Sequence, residues 1–189
     1  MLVLGVDPGT RHLGWGLVHR TGTRLKPVGF GIISPDPELS LAERLVTIEK
    51  ELTALIEQYR PDAGSVESLF YSKDPQAAAK LGHARGVVLL VLARSQVEVF
   101  EYAPALVKRM IAGRGNADKR QVGLMMQALL CLDELPGVDA TDALALAVTH
   151  LRLGQLAKTN LRPSIQMKRK SAQGPKERLL ALVRAARKG

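Results

Sequence analysis

At 189 residues with 46% apolar side chains, the chain suits one domain with a substantial core, and no run of about eighteen uncharged apolar residues offers a membrane span. A single cysteine, Cys131, excludes an internal disulfide and gives no support to a thiolate metal centre. The net charge is +9, yet ten Lys/Arg and one acid, Glu177, lie from Lys158 onward, leaving seventeen bases and seventeen acids in residues 1–157.

The start, MLVLGVDPGT, lacks the basic opening and small-residue cleavage site of a signal peptide, so a bacterial-type cytoplasmic setting is expected. Leu2 to Val6 form an apolar run closed by Asp7-Pro8-Gly9, which reads as a buried strand ending in a turn. Strands over 13–20 and 25–33 follow, with Thr21-Gly22 as their hairpin turn. Ser40 and Glu43 form a capping box, and Leu41, Leu45, Ile48, Leu52, Leu55 and Tyr59 then recur at helical spacing until Arg60-Pro61 stops the helix.

A fourth strand is predicted over 63–67. Asp74 and Pro75 open a second helix running to Arg94, and VEVFEY from Val97 reads as strand five. Short helices begin at Pro104 and near Asp118, and a core helix spans about Thr141 to Leu156. This order predicts an α/β fold. Ala78, Gly82 and Gly86 form a small-residue ridge suited to close packing on the sheet or a second subunit. His150 reads as a satisfied core residue, and Met125 and Met126 as core filling. The expected division is a domain over 1–157 and a basic tail over 158–189, a linker with a short basic amphipathic helix over 176–188. Such a tail suggests a polyanionic partner, because Lys and Arg displace counterions from nucleic acid.

The chemistry-bearing residues are acids at element ends. Asp7 and Glu67 each close an apolar strand-like run, the position where open α/β sheets build their sites. Asp139 and Asp142, three apart at a helix start, can share a face with Cβ atoms about 5–6 Å apart. Carboxylates from three segments are compatible with a hard cation such as Mg²⁺. Each also has a plain reading: Asp7 as turn chemistry, Glu67 as a surface acid, Asp139 as a helix cap. Spacing alone does not bring them together.

Four ordered blocks, LGVDPGTRHLGWG, VESLFYSKDPQAAAKLGHARGV, FEYAPALVKRMIAGRGNADKRQV and DATDALALAVTH, resemble the RuvC family of Holliday junction resolvases from residue 2 to about 153. The resemblance implies an RNase H-like fold with a five-stranded mixed sheet flanked by helices on both faces. It further implies a homodimer that nicks four-way DNA junctions symmetrically and leaves 5′-phosphate ends. It places four metal-binding catalytic acids on Asp7, Glu67, Asp139 and Asp142, where some relatives carry histidine in place of Asp139, and a catalytic cation on Lys119. Two Mg²⁺ per subunit are implied, with Mn²⁺ able to substitute, and the branch-migration proteins RuvA and RuvB as partners. DNA contacts are expected at Phe70, Tyr71, Lys73, Arg85, Lys108, Arg114, Lys119 and Arg120. Residues 108–120 fit a phosphate-tracking segment, with five bases, one acid and two glycines, Gly113 and Gly115. The rival readings are a nuclease of the YqgF (RuvX) type or a junction-binding protein without activity. The Asp7-Pro8-Gly9-Thr10 turn also resembles the first phosphate loop of actin-like ATPases and sugar kinases. That class needs a second phosphate loop and an adenosine-binding segment, and the chain offers neither.

Overall fold

The computed structural model describes residues 1–68 and 75–158. Its strands are β1 (Leu2–Asp7), β2 (Leu13–Thr21), β3 (Arg24–Ile33), β4 (Ala63–Glu67) and β5 (Glu98–Tyr102). The helices are α1 (Leu41–Tyr59), α2 (Pro75–Arg94), α3 (Pro104–Ala112), α4 (Lys119–Leu130) and α5 (Val138–Lys158). The sheet order is β3-β2-β1-β4-β5, with β1 antiparallel to β2 and parallel to β4, so the expected five-stranded mixed sheet is present.

Two apolar clusters sandwich the sheet. Val3, Val18 and Ala63 pack with α3, α4 and α5 on one face. Leu4, Val6, Leu17 and Val66 pack with α1 and α2 on the other. The period-2 alternation of strands thus assigns each residue its side. Burying about thirty apolar side chains on two faces is what a chain of this size needs to offset its conformational entropy.

Local chemistry explains the element ends. Ser40 and Glu43 form the reciprocal capping box, and Arg60 leaves α1 in the left-handed region at φ 47°. The hairpin turn lies one residue later than expected: Thr21 pairs with Arg24, and Gly22 takes the positive φ of 61° that two-residue hairpins give to glycine. α5 starts at Val138 rather than Thr141, because Thr141 N–H donates to Gly137 O at 2.9 Å and its hydroxyl donates to Pro136 O. Asp139 is therefore inside the first turn and not the cap. Met126 is fully buried, whereas Met125 is 41% exposed, so only one of the pair fills the core. His150 is buried against Phe100, and its Nδ1 shares a 2.7 Å hydrogen bond with Tyr102 Oη, the satisfied core role expected of it. A Cβ added at Gly82 or Gly86 would meet nothing within 4 Å, so the α2 ridge is open rather than packed on the sheet. Among the described residues no helix is long and apolar enough to cross a membrane.

Candidate active site

Alternation along the paired strands places Asp7 and Glu67 on the α5 face. Val3, Gly5 and Asp7 stand in register with Ala63, Ser65 and the position of Glu67, at the carboxyl ends of two adjacent parallel strands. β2 lies on the other side of β1, with Gly14 paired to Asp7 and Gly16 to Gly5. These glycines are seats for α5. A Cβ at Gly14 would stand 2.0 Å from Asp139 O, and one at Gly5 would stand 1.9 Å from Ala143 O. With no side chain there, the helix backbone lies directly on the strands, and Ser65 Oγ locks it by donating to Leu146 O at 2.8 Å. That close approach carries Asp139 and Asp142 over the end of β1.

A cleft of about 300 Å³ opens between these strand ends and α3, α4 and α5. Asp7, Glu67 and Asp142 line it with Lys108 and Lys119, over apolar walls including Val107, Val122 and Leu146. A larger hollow near Glu49, Arg60 and Arg94 lies between the carboxyl ends of α1 and α2, where β4 and β5 begin, and brings no comparable group of acids together. Lys119 Nζ is 3.5 Å from Asp142 Oδ2.

The acids outnumber the charges that could neutralise them. Burial, joined by repulsion from Asp142, Glu67 and Asp139, pushes the Asp7 carboxyl up to about 7, against a partial pull from Lys119. Burial and the Asp142 charge raise Glu67, with Lys119 and Lys108 pulling the other way. Burial also raises Asp142, opposed chiefly by Lys119. Such mutual repulsion marks a site short of positive charge. Asp139 acts on Asp7 and Asp142 through its charge but does not line the cleft.

Oxygen donors of this kind suit a hard divalent cation. Among the described residues no group of three or more His, Cys, Asp and Glu side chains is placed to hold an ion by itself. Mg²⁺ does not need such a cage, since it keeps several waters and takes one or two carboxylates plus substrate phosphate. The donor set and the charge deficit therefore fit it.

The basic residues divide. Lys108 reaches the cleft from α3. Asp118 caps α4 by accepting from Gln121 N–H at 2.8 Å, which puts Lys119 at the first helical position beside the acids. Cations in a first turn oppose the helix dipole by about 0.3–1 kcal/mol each, so Lys119 and Arg120 are poorly placed for helix stability alone. Arg114, between α3 and α4, and Arg120, in the first turn of α4, are both exposed. Arg85 does not line the cleft. Its Nε donates to Glu67 O at 3.3 Å and its Nη2 pairs with Glu101 Oε2. Phe70, Tyr71, Lys73 and Asp74 lie outside the described residues, as does the tail from Thr159.

Sequence reasoning missed the glycine seats and the Arg85 bridge. The first had a signal: Gly14 and Gly16, two apart in the otherwise apolar strand LGWGLV, are how a strand admits another backbone.

The family model for crossover junction endodeoxyribonuclease RuvC matches residues 3–150. A Sorangium cellulosum protein of that name is 59% identical over 151 residues, covering 80% of this chain and 84% of the relative. One from Rhodopseudomonas palustris is 46% identical over 148 residues, covering 78% and 85%. The structure of Thermus thermophilus RuvC in complex with a Holliday junction substrate superposes with a TM-score of 0.79 at 34% identity, covering 83% of this chain and 96% of that one. The yeast mitochondrial Holliday junction resolvase, 11% identical with a TM-score of 0.61, shares the fold.

Proposed function

The chain belongs to the RuvC family of crossover junction endodeoxyribonucleases, and on that premise we propose that it resolves four-way (Holliday) DNA junctions by hydrolysing one phosphodiester on each of two opposed strands. The observation that carries the site assignment is the convergence of Asp7, Glu67 and Asp142 with Lys108 and Lys119 in one cleft. Three half-buried carboxylates would repel a phosphodiester unless cations stood between them.

We assign Asp7, Glu67, Asp139 and Asp142 to holding Mg²⁺, two ions per subunit, with Mn²⁺ as a substitute. Bound there, the metal supplies Lewis-acid polarisation of the phosphate and a water of lowered pKa. Asp7 and Glu67, on rigid strand ends, fix where the phosphate sits. Asp142 and Asp139 complete the donor set from α5. Lys119 offsets negative charge that builds on the phosphate oxygens, because a positioned cation is worth more in a walled cleft than in water. Cleavage of the P–O3′ bond leaves 5′-phosphate and 3′-hydroxyl ends.

Lys108, Arg114 and Arg120 extend a positive surface from the cleft and hold backbone phosphates without reading sequence. Phe70, Tyr71 and Lys73, on the segment after Glu67, are assigned to the junction centre. A ring there can stack on an unpaired base for about 1–3 kcal/mol. A junction has near two-fold symmetry, so a two-fold dimer matches two sites to two opposed strands. The homodimer and the partners RuvA and RuvB rest on family membership.

The test is charge removal without loss of shape. Asp7→Asn and Asp142→Asn are expected to keep junction binding and lose cleavage. Cleavage near the wild-type rate at saturating Mg²⁺ would remove that residue from the essential set.

A further inference from the structure

The Arg85 guanidinium is engaged by the protein's own groups and does not line the cleft. Tyr102, paired with Glu67, shares the α5 face with the cleft, so its neighbour Glu101 projects to the α2 face. Arg85 comes from α2, and its side chain is only 13% exposed. One guanidinium bridges two strands there: Nε–H to the Glu67 carbonyl of β4, and Nη2 to the Glu101 carboxylate of β5. The contact falls at the end of the described ladder, since Glu67–Tyr102 is its last β4–β5 pair and Ser68 N–H donates to Tyr102 O at 2.9 Å just beyond it.

The residue whose carbonyl is held on one face is the residue whose carboxylate lines the cleft on the other. We propose that Arg85, held by Glu101, is a positioning residue that fixes the Glu67 peptide at the end of β4 and thereby aims the Glu67 carboxylate. This rests on the reading of Glu67 as a metal-holding acid. A planar fork with fixed donors can span a carbonyl and a carboxylate at once, whereas the single ammonium of lysine cannot keep the same geometry. Glu101 supplies the counter-charge that keeps Arg85 on this face rather than free for phosphate.

The experiment uses the full chain as wild type, Arg85→Lys, Arg85→Gln and Glu101→Gln. Junction affinity is measured in EDTA at several salt concentrations, Mn²⁺ binding to the free protein by electron paramagnetic resonance, cleavage against Mg²⁺ concentration, and Tm. All three variants are expected to bind Mn²⁺ and respond to Mg²⁺ about 10-fold more weakly, the usual size for a residue that orients a metal ligand. Junction affinity and its salt slope stay at wild-type values. A direct phosphate contact gives the opposite pattern: Arg85→Lys near wild type, Arg85→Gln weaker on DNA with a shallower slope, and Glu101→Gln tighter on DNA with an unchanged metal response. That pattern overturns the proposal, and so does a fall in Tm with Mn²⁺ affinity unchanged. If Arg85→Gln does not fold, Glu101→Gln and Arg85→Lys decide the matter alone. Should the wild type fail to cut junctions while the variants still lose Mn²⁺ affinity, the positioning role stands and the assigned reaction falls.

Discussion

Replacing Gly14 by alanine tests whether the seat of α5 on β2 is what aims Asp139 and Asp142. The new Cβ would stand 2.0 Å from Asp139 O, 2.4 Å from its carbonyl carbon and 3.1 Å from its Cβ. The nearest obstacles are backbone atoms in a helix turn, not the end of a flexible side chain. Real Cβ contacts essentially never fall below 3.0 Å, so α5 must lift from β2 by about 1 Å where its acids stand. A misplacement of about 1 Å costs roughly 10²-fold in rate. Overpacking costs about 1–3 kcal/mol, and for a chain this size each kcal/mol lowers Tm by about 2–4 °C. Gly14→Ala is therefore expected to fold with a modestly lower Tm and to cut junctions about a hundredfold more slowly. Single-turnover cleavage at saturating Mg²⁺ and a thermal melt of the same preparation check this. Gly82→Ala is the control, because a Cβ there meets nothing within 4 Å. Cleavage by Gly14→Ala within a few-fold of wild type would refute the idea that this close approach sets the site.

Further predictions follow from charge and from the segments flanking the fold. Asp7 is pushed up to about 7 from 3.8, so the metal-free folded protein keeps a proton there that the unfolded chain releases near 4. The stability from this group is complete below about pH 4 and lost as pH rises through about 7. In EDTA, Asp7→Asn should melt above wild type at about pH 8, with the gap narrowing toward about pH 4; a lower melt at high pH contradicts the sign. Protons compete with the metal for these carboxylates, so the Mg²⁺ needed for half-maximal cleavage should fall as pH rises through about 7. Truncation after Lys158 should leave cleavage chemistry intact while weakening DNA binding, and each lost phosphate contact should lower the log–log salt slope by about 0.9. An unchanged slope means the tail does not touch DNA. Phe70→Ala should cut intact junctions poorly and recover in part on junctions with unpaired bases beside the scissile bond; equal loss on both, with a large fall in Tm, places Phe70 in the core.

Much of the fold was legible because its signals are local. The capping boxes at Ser40 and Asp118, Pro75 and Pro104 at helix starts, and the apolar run LVLGV each declare an element within a few residues. The hairpin slipped by one because Thr21-Gly22 and Gly22-Thr23 are nearly equivalent as turn chemistry, and only the register with β3 decides between them. The start of α5 was placed late because apolar spacing begins after Asp139, while the bonds that open the helix come from Pro136 and Gly137. Met125 and Met126 are indistinguishable by composition; the helix turn sends one inward and the other to solvent.

The acids were legible as strand-end and helix-start residues, but their meeting was not. It depends on which strands pair and on how closely α5 can lie on β1 and β2. Those are long-range facts set by Gly5, Gly14 and Ser65, and the link from Arg85 to Glu67 and Glu101 belongs to the same class. Asp139, chemically like the other three acids, reaches Asp7 and Asp142 through its charge without itself lining the cleft.

The most direct measurement is cleavage of a synthetic mobile four-way junction by the full chain with Mg²⁺, with product ends mapped on all four strands. Paired nicks at symmetric positions on two opposed strands, with 5′-phosphate ends and no cutting of matched linear duplex, are the expected result. Tight junction binding without any nick at saturating Mg²⁺ or Mn²⁺, all four acids being intact, would contradict it.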